Sequence, residues 1–303
     1  MSFLYFLING ISLGSIYAII ALGYTMVYGI SKMLNFAHGD VIMVGAYICF
    51  FALTRFNLPP LVAVAAAMLV CMVLGMTIEK LAYKPLRQAT SLAVLITAIG
   101  VSYLLQNLAL LLFSPNVKVF PSIVGNGKIS MGDIVVSHVT IVTIIVCIVI
   151  MVGMTLFTGR TKIGKAMRAC SEDKAAAQLM GINVDATISV TFIIGSGLAA
   201  IAGVLLCSTY PTLVPTTGSM PGIKAFTAAV FGGIGSIPGA FLGGLLLGII
   251  EIFAKAYIST QISDAIVFAV LIIVLLVKPT GLLGKKVSVN EGKNDKCGKT
   301  KKQ

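Results

Sequence analysis

Asn35, His38 and Asp40 lie close together between two uncharged runs, Met1 to Ser31 and Val41 to Thr54. An amide, an imidazole and a carboxylate at that spacing could meet a polar solute in a hydrated gate. Polar groups without partners are expensive in lipid, an Asp costing ~2.5–3.5 kcal/mol at a helix centre. The plainer reading makes Asp40 the cap of a helix beginning at Val41, with the break at headgroup level. His38 has no second His or carboxylate at ligand spacing, so a metal centre is not indicated. Glu251 reads as an end-of-span carboxylate with Lys255 as its i,i+4 partner. Asp40 and Glu251 are the only candidates for coupling to H⁺ or Na⁺, which disfavours an ion-driven carrier. The stretch Gly159-Arg-Thr-Lys-Ile-Gly-Lys-Ala166 fits GxxxxGK, but Ala166 stands where Ser or Thr should hold Mg²⁺. The chain is therefore expected neither to hydrolyse ATP nor to be an enzyme. The glycine-rich run from Phe231 to Gly248 also lacks a βαβ setting. Its Gly239, Gly243, Gly244 and Gly248 suit close approach of membrane helices instead.

The elements that must position these groups are membrane helices. Of 303 residues, 58% are hydrophobic and 11% charged, against roughly 45–50% and 25% in soluble domains, and the mean hydropathy is +1.03. Helices satisfy their own backbone in lipid, and no alternating ten-residue pattern suggests a barrel. Met1 to Ser31 has no basic n-region, so it is expected to stay as a helix, not to be removed as a signal peptide. Further uncharged blocks run from Phe56 to Ile78, Gln88 to Val117, Ile134 to Gly159, Ala186 to Ile223 and Ala225 to Ile250. Val41 to Thr54 and Ala265 to Val277 are too short for an ordinary span and must borrow length or be broken.

The net charge of +12 falls in clusters that report topology, not a nucleic-acid partner. Lys80, Lys84 and Arg87, then Arg160 to Lys174, then Lys285 to Lys302 should all face the cytoplasm, which puts Ser114 to Ser137 outside. Three apolar blocks between the second cluster and the third give the wrong parity, so one is re-entrant or hides a crossing. Pro211 to Gly239, repeatedly interrupted by Pro and Gly, is the place for it. With the break at Ser31 to Asp40, it suggests a duplicated scaffold whose path runs between discontinuous helices. The expected fold class is an all-α polytopic membrane protein of eight to ten transmembrane or half-crossing helices with broken or re-entrant segments. A membrane domain occupies 1–284, and a basic, disordered tail near anionic lipid occupies 285–303. The first span has no charge before it, so its direction depends on how the Ser31 to Asp40 break is counted. Cys49, Cys71, Cys147, Cys170, Cys207 and Cys297 contain no CxxC pair and indicate neither disulfides nor a metal site.

The loop 160–185 is the strongest functional signal. Ser171 can cap a short helix with Glu172 and Asp173 in its first turn and Gly181 as its stop. About nine residues make a marginal helix, so it needs a groove in another protein to dock against. The alternative is a solvated connector on the membrane surface.

Longer motifs carry a family resemblance. Asn9-Gly-Ile-Ser-Leu-Gly-Ser-Ile-Tyr-Ala18, Gly23-Tyr-Thr-Met-Val-Tyr-Gly29 and Asn35-Phe-Ala-His-Gly-Asp40 resemble the branched-chain amino acid ABC transporter permease family, most closely its LivH-type members. So do Gly164-Lys-Ala-Met-Arg-Ala-Cys170, Lys224-Ala-Phe-Thr-Ala-Ala-Val230, Gly232-Gly-Ile-Gly-Ser-Ile-Pro-Gly239 and Lys278-Pro-Thr-Gly-Leu-Leu-Gly284. The resemblance implies a multi-pass permease of the bacterial cytoplasmic membrane for leucine, isoleucine and valine. It implies a second permease subunit, two ATP-binding subunits that use the ATP, and an extracytoplasmic binding protein. No cofactor is implied on this chain. Ala175-Ala-Ala-Gln-Leu-Met-Gly181 fits the coupling pattern Glu-Ala-Ala-xxx-Gly except that Ala175 replaces Glu. The coupling residues are then Arg168, Glu172, Asp173, Ala176 and Gly181. The path would be bordered by Asn35, His38, Asp40, Thr216, Gly232 and Gly235. Two alternatives remain open: an importer of amides, urea or another small solute, and a nucleotide-independent facilitator or channel, although paired Asn-Pro-Ala motifs are absent.

Overall fold

Ser2 to Ser31, with no charge to interrupt it, forms one helix, α1 (Ser2–Ser31). The computed structural model describes residues 2–87, 89–125, 127–131, 134–278 and 280–284; the tail expected at 285–303 lies outside the described residues. After α1 come α2 (His38–Thr54), α3 (Pro60–Ile78) running into a π-helical turn (Glu79–Tyr83), α4 (Ser91–Phe113) and α5 (His138–Arg160). Two short helices follow, α6 (Lys162–Glu172) and α7 (Lys174–Leu179), and then α8 (Val184–Thr209), α9 (Ser219–Gly232), α10 (Ile237–Tyr257) and α11 (Ser263–Val277). Six helices among the described residues are long and apolar enough to cross a membrane, while α2, α9 and α11 are shorter. Among the described residues the strands are four short ones: β1 (Lys118–Val119), β2 (Lys128–Met131), β3 (Ile134–Ser137) and β4 (Thr212–Leu213), with β1 antiparallel to β4 and β2 to β3.

Ion pairs and hydrogen bonds gather the first two basic clusters at one end. Lys84 and Arg87 both reach Asp185 at the start of α8, and Lys174 Nζ donates to the Ser31 carbonyl at 2.7 Å. By the positive-inside rule this end is cytoplasmic. At the opposite end β1 pairs with β4, and Phe3 and Phe6 at the head of α1 pack on Phe253 and Tyr257 at the foot of α10. The N-terminus therefore lies on the outer side, which the sequence left open.

The block Ala225 to Ile250, read as one span, is two. Gly233 (φ +104°) and Gly235 (φ +93°) take backbone conformations that Cβ-bearing residues avoid, and Ser236 Oγ accepts from Gly239 N to start α10. This is the hidden crossing: α8 to α11 make four passes, and the parity closes. Lys224, which marks the edge of that block in the sequence, is buried inside α9.

The two halves pack reciprocally. The α1–α10 pairing mirrors α8–α3, α2 lies on α8 as α9 lies on α1, and α1 meets α8 at the centre. The α1–α10 seam is the most extensive, and it is close: a Cβ on Gly248 would sit 2.2 Å from the Gly14 backbone, and one on Gly244 2.4 Å from Ala18. Small residues here bring backbones together, which dispersion then holds in the absence of a hydrophobic drive between helices. Helices α4 and α5 form the periphery and turn Leu104, Leu111 and Val149 outward.

Candidate functional site

From Ser31 the chain does not stay at the cytoplasmic face. His38, the first residue of α2, packs against Gly23, roughly 12 Å up α1 from Ser31. From the other side, the segment 210–218 descends before α9 begins. The N-terminal ends of α2 and α9 thus meet inside the membrane, with Gly39 against Gly218 and Gly222, and their helices run in opposite directions.

Asn35, His38 and Asp40 take separate roles at this junction. Asn35 Oδ1 accepts from Tyr83 Oη at 2.9 Å, tying the re-entering segment to the π-helical turn. His38 is buried with its ring 4.6 Å from that of Tyr24, and its Nε2 has no hydrogen-bond partner among the described residues. Asp40 is no cap. The helix starts earlier, at His38, with Ala37 in the cap position and no side-chain bond. Asp40 Oδ1 instead accepts from Gln106 Nε2 of α4 at 2.9 Å. Gln106 also contacts Ser219 Oγ at 3.2 Å, so one amide bridges the first turns of α2 and α9. An acidic group there also faces the positive end of the α2 dipole.

The other path candidates are dispersed. Thr216 is exposed on the turn entering α9, where its carbonyl accepts from Ser219 N at 3.1 Å. Gly232 and Gly235 lie at the cytoplasmic end; Gly232 packs on Gly239 and accepts from Leu283 N at 2.9 Å. The structure therefore brings Asn35, His38 and Asp40 to one junction but not these three.

A second charged cluster was largely missed. Glu251 is 1% exposed, which overturns its reading as an end-of-span carboxylate. Lys255 pairs with it as expected, Nζ to Oε1 at 2.5 Å. Glu251 also accepts from Lys224 Nζ at 2.8 Å and from Tyr17 Oη at 2.8 Å, and Lys224 reaches on to Asp264 at 2.7 Å. Four helices, α1, α9, α10 and α11, are stapled by groups that would each be costly alone in lipid. The available signal was Lys224, a lone charge between two long uncharged blocks, which reads as a loop boundary until the structure puts it inside a helix.

At the cytoplasmic end, Glu79 in the π-helical turn is fully buried and accepts from Arg87 and from Ser189 Oγ of α8, the latter at 2.7 Å. Arg87 also bonds Asp185, so one guanidinium joins the foot of α3 to the head of α8. The loop 160–185 forms two helices, not one. Thr161 caps α6 through Gly164 N, and Asp173, not Ser171, caps α7 by accepting from Ala175 N and Ala176 N at 2.8 and 3.1 Å. Ser171 lies in the last turn of α6, its Oγ donating to the Arg168 carbonyl. The β-region backbone of Asp173 (φ −149°, ψ 114°) is what a cap requires and what separates the two helices. Gly181 (φ +81°) ends the turn after α7, with Ile182 N returning to the Ala177 carbonyl at 3.0 Å.

Arg168, Glu172, Asp173, Ala176 and Gly181 are all exposed on this unit, with Ala177 the buried anchor of α7. Sequence reasoning passed over its most exposed apolar pair, Leu179 (89%) and Met180 (82%). It also missed Lys174, whose ammonium burial and the neighbouring Arg87 and Lys32 push below its ordinary pKa. Among the described residues no group of three or more His, Cys, Asp or Glu could hold a metal ion.

The arrangement matches known proteins along nearly its whole length. The family model described as branched-chain amino acid transport system / permease component matches residues 6–275. The chain is 48% identical over 291 residues to the high-affinity branched-chain amino acid transport system permease protein BraD of Pseudomonas aeruginosa, covering 92% of this chain and 95% of that protein. It is 46% identical over 299 residues to the corresponding LivH of Escherichia coli K12, covering 93% and 97%. A solved structure, PsaBC from Streptococcus pneumoniae in complex with Fab, shares the fold at a TM-score of 0.50 and 15% identity, covering 91% of this chain and 93% of that one. With a family match across residues 6–275, multi-pass helices and near-full-length relatives in agreement, the chain belongs to the branched-chain amino acid transport system permease family.

Proposed function

We propose that this chain forms half of the membrane pathway of an ATP-driven importer of leucine, isoleucine and valine. It pairs with a second, homologous permease subunit, two ATP-binding subunits dock on its cytoplasmic end, and an extracytoplasmic protein delivers the amino acid. ATP is bound and used by the docked subunits. One observation carries the coupling part of this reading: α7 presents Leu179 and Met180 at the cytoplasmic end while Lys174, on the same helix, grips the last carbonyl of α1. Apolar side chains so exposed in water suit a groove of another protein. Arg168, Glu172, Asp173, Ala176 and Gly181 frame that contact.

The mechanism follows from rigid links. Closure of the ATP-binding subunits displaces α6 and α7, and Lys174 passes the displacement to the end of α1 and the re-entering segment. Arg87 carries it to α8 through Asp185 and to the π-helical turn through Glu79. π-helical turns, rare overall, are frequent at functional sites. The two half-helices, butted at Gly39 and Gly218, then reorient between outward and inward access, with Asn35, His38 and Asp40 bordering the route. The test is uptake of labelled leucine into proteoliposomes holding the full assembly, against this chain with its partner permease alone. ATP-dependent uptake only in the full assembly supports the reading; equal flux without ATP-binding subunits makes the chain a facilitator and overturns it.

A further inference from the structure

We infer that the Lys224–Glu251–Lys255 cluster is the charged floor of an outward-facing site for a zwitterionic amino acid with an aliphatic side chain. This rests on the importer reading above and adds a recognition step inside the membrane subunit itself.

A cavity of about 340 Å³ opens between α1, the end of α8, the start of α9 and α10. That equals roughly eleven waters at ~30 Å³ each, and lies at the small end of the range for ligand pockets. It has room for one leucine-sized solute. Its lining combines the charged Lys224, Glu251 and Lys255 with the aliphatic Leu13, Leu206 and Val214, and with tyrosines and threonines besides. Ionic groups and aliphatic ones in a single cavity suit an amino acid whose side chain is a hydrocarbon.

The charges select further. Lys224 and Lys255 balance Glu251 and Asp264, so the cluster is neutral as it stands. A solute carrying net charge would add a charge without a counter-ion to a partly desolvated place, which is costly. A zwitterion exchanges partners and leaves the sum at zero. The cluster also has one replaceable member. Lys224 is 7% exposed and held between Glu251 and Asp264, whereas Lys255 is 32% exposed on a flexible stem. Both lysines share Glu251 Oε1, while Oε2 is held by Tyr17. Lys255 can swing away to the solute carboxylate, and the solute ammonium takes its place on Oε1, with Lys224 and Tyr17 keeping Glu251 in position. A purely structural staple needs no such opening at its side.

The test uses a thiol reporter at the cavity wall in the assembled complex with its ATP-binding subunits, in nanodiscs, without nucleotide or binding protein. Met220→Cys is introduced with Cys297→Ser; the five cysteines among the described residues are buried. Modification by a membrane-impermeant methanethiosulfonate is followed by the mass of this chain. Millimolar leucine is expected to slow the reaction at least threefold, while isopentylamine and 4-methylpentanoate leave it within error of the control. Lys255→Met, at a part-exposed position, should abolish the protection by leucine, and Glu251→Gln should do the same. An unprotected thiol in a complex that transports leucine overturns the inference and leaves the importer reading standing. Equal protection by the amine, the acid and leucine overturns it too. A wild-type assembly with no leucine uptake sinks the importer reading itself.

Discussion

Replacing Gly248 with Ala should break the seam between α1 and α10. The added methyl would lie 2.2 Å from both Cα and N of Gly14 and 2.8 Å from the Gly10 carbonyl oxygen. Ordinary contact begins near 3.5 Å, so the helices must part by about 1.3 Å. All three obstacles are backbone atoms, and no rotamer change relieves them. The parting loosens the rest of the seam as well, where Gly10 facing Ile249 and Gly244 facing Ala18 are packed so closely that neither has room for a Cβ. Overpacking costs about 1–3 kcal/mol, and a clash with nothing but backbone belongs at the upper end. About 3 kcal/mol is more than a hundredfold in the folded-to-unfolded ratio. Gly100→Ala is the matched control: it lies in α4 with nothing within 4 Å of the new Cβ, and should be neutral or stabilising by up to about 1 kcal/mol from helix propensity. Reversible SDS titration of the purified chain in mixed micelles reads both. Gly248→Ala within about 0.5 kcal/mol of wild type, or Gly100→Ala equally destabilised, refutes the packing argument.

Two further outcomes concern the cytoplasmic end. Lys174→Met keeps the stem but removes the donor to Ser31; a charged hydrogen bond of at least ~1.4 kcal/mol implies about a tenfold fall in leucine uptake while ATP turnover by the assembly persists. Parallel loss of both activities would show that Lys174 serves assembly, not transmission. Asp173→Ala removes the one oxygen, Oδ1, that accepts both capping bonds of a six-residue helix, at about 1 kcal/mol, and should lower recovery of ATP-binding subunits in co-purification where Asp173→Asn does not. Equal recovery with Ala and Asn would remove the cap from the docking argument.

What could be read in advance was set by hydropathy and by charge position. Long uncharged runs gave α1, α3, α4, α5 and α8, because a span needs length and lipid tolerates little else. Glycine and proline interruptions marked the break between Pro211 and Gly239, since few other residues accept those backbone angles or lack the donor, and the polar Asn35, His38 and Asp40 marked the break before α2. What stayed hidden depended on partners distant in sequence. Lys224 and Glu251 are 27 residues apart and each seemed to end a span; only tertiary contact makes them a pair. Asp40 and Gln106, or Lys174 and Ser31, are joined by no period or motif. Ser171 lost the capping role to Asp173 because both fit the local pattern, and backbone angles at the junction decided between them. Cap choice within two residues is beyond composition and spacing.

The abutment of Gly39 on Gly218 has a mechanical corollary. A Cβ on Gly218 would fall 1.8 Å from the Gly39 oxygen, so the two repeats touch there main chain to main chain. Side-chain contacts yield by hopping between rotamers; a contact of this kind has nothing to give. On the transport cycle proposed above, the halves would pivot about it as levers on a shared fulcrum.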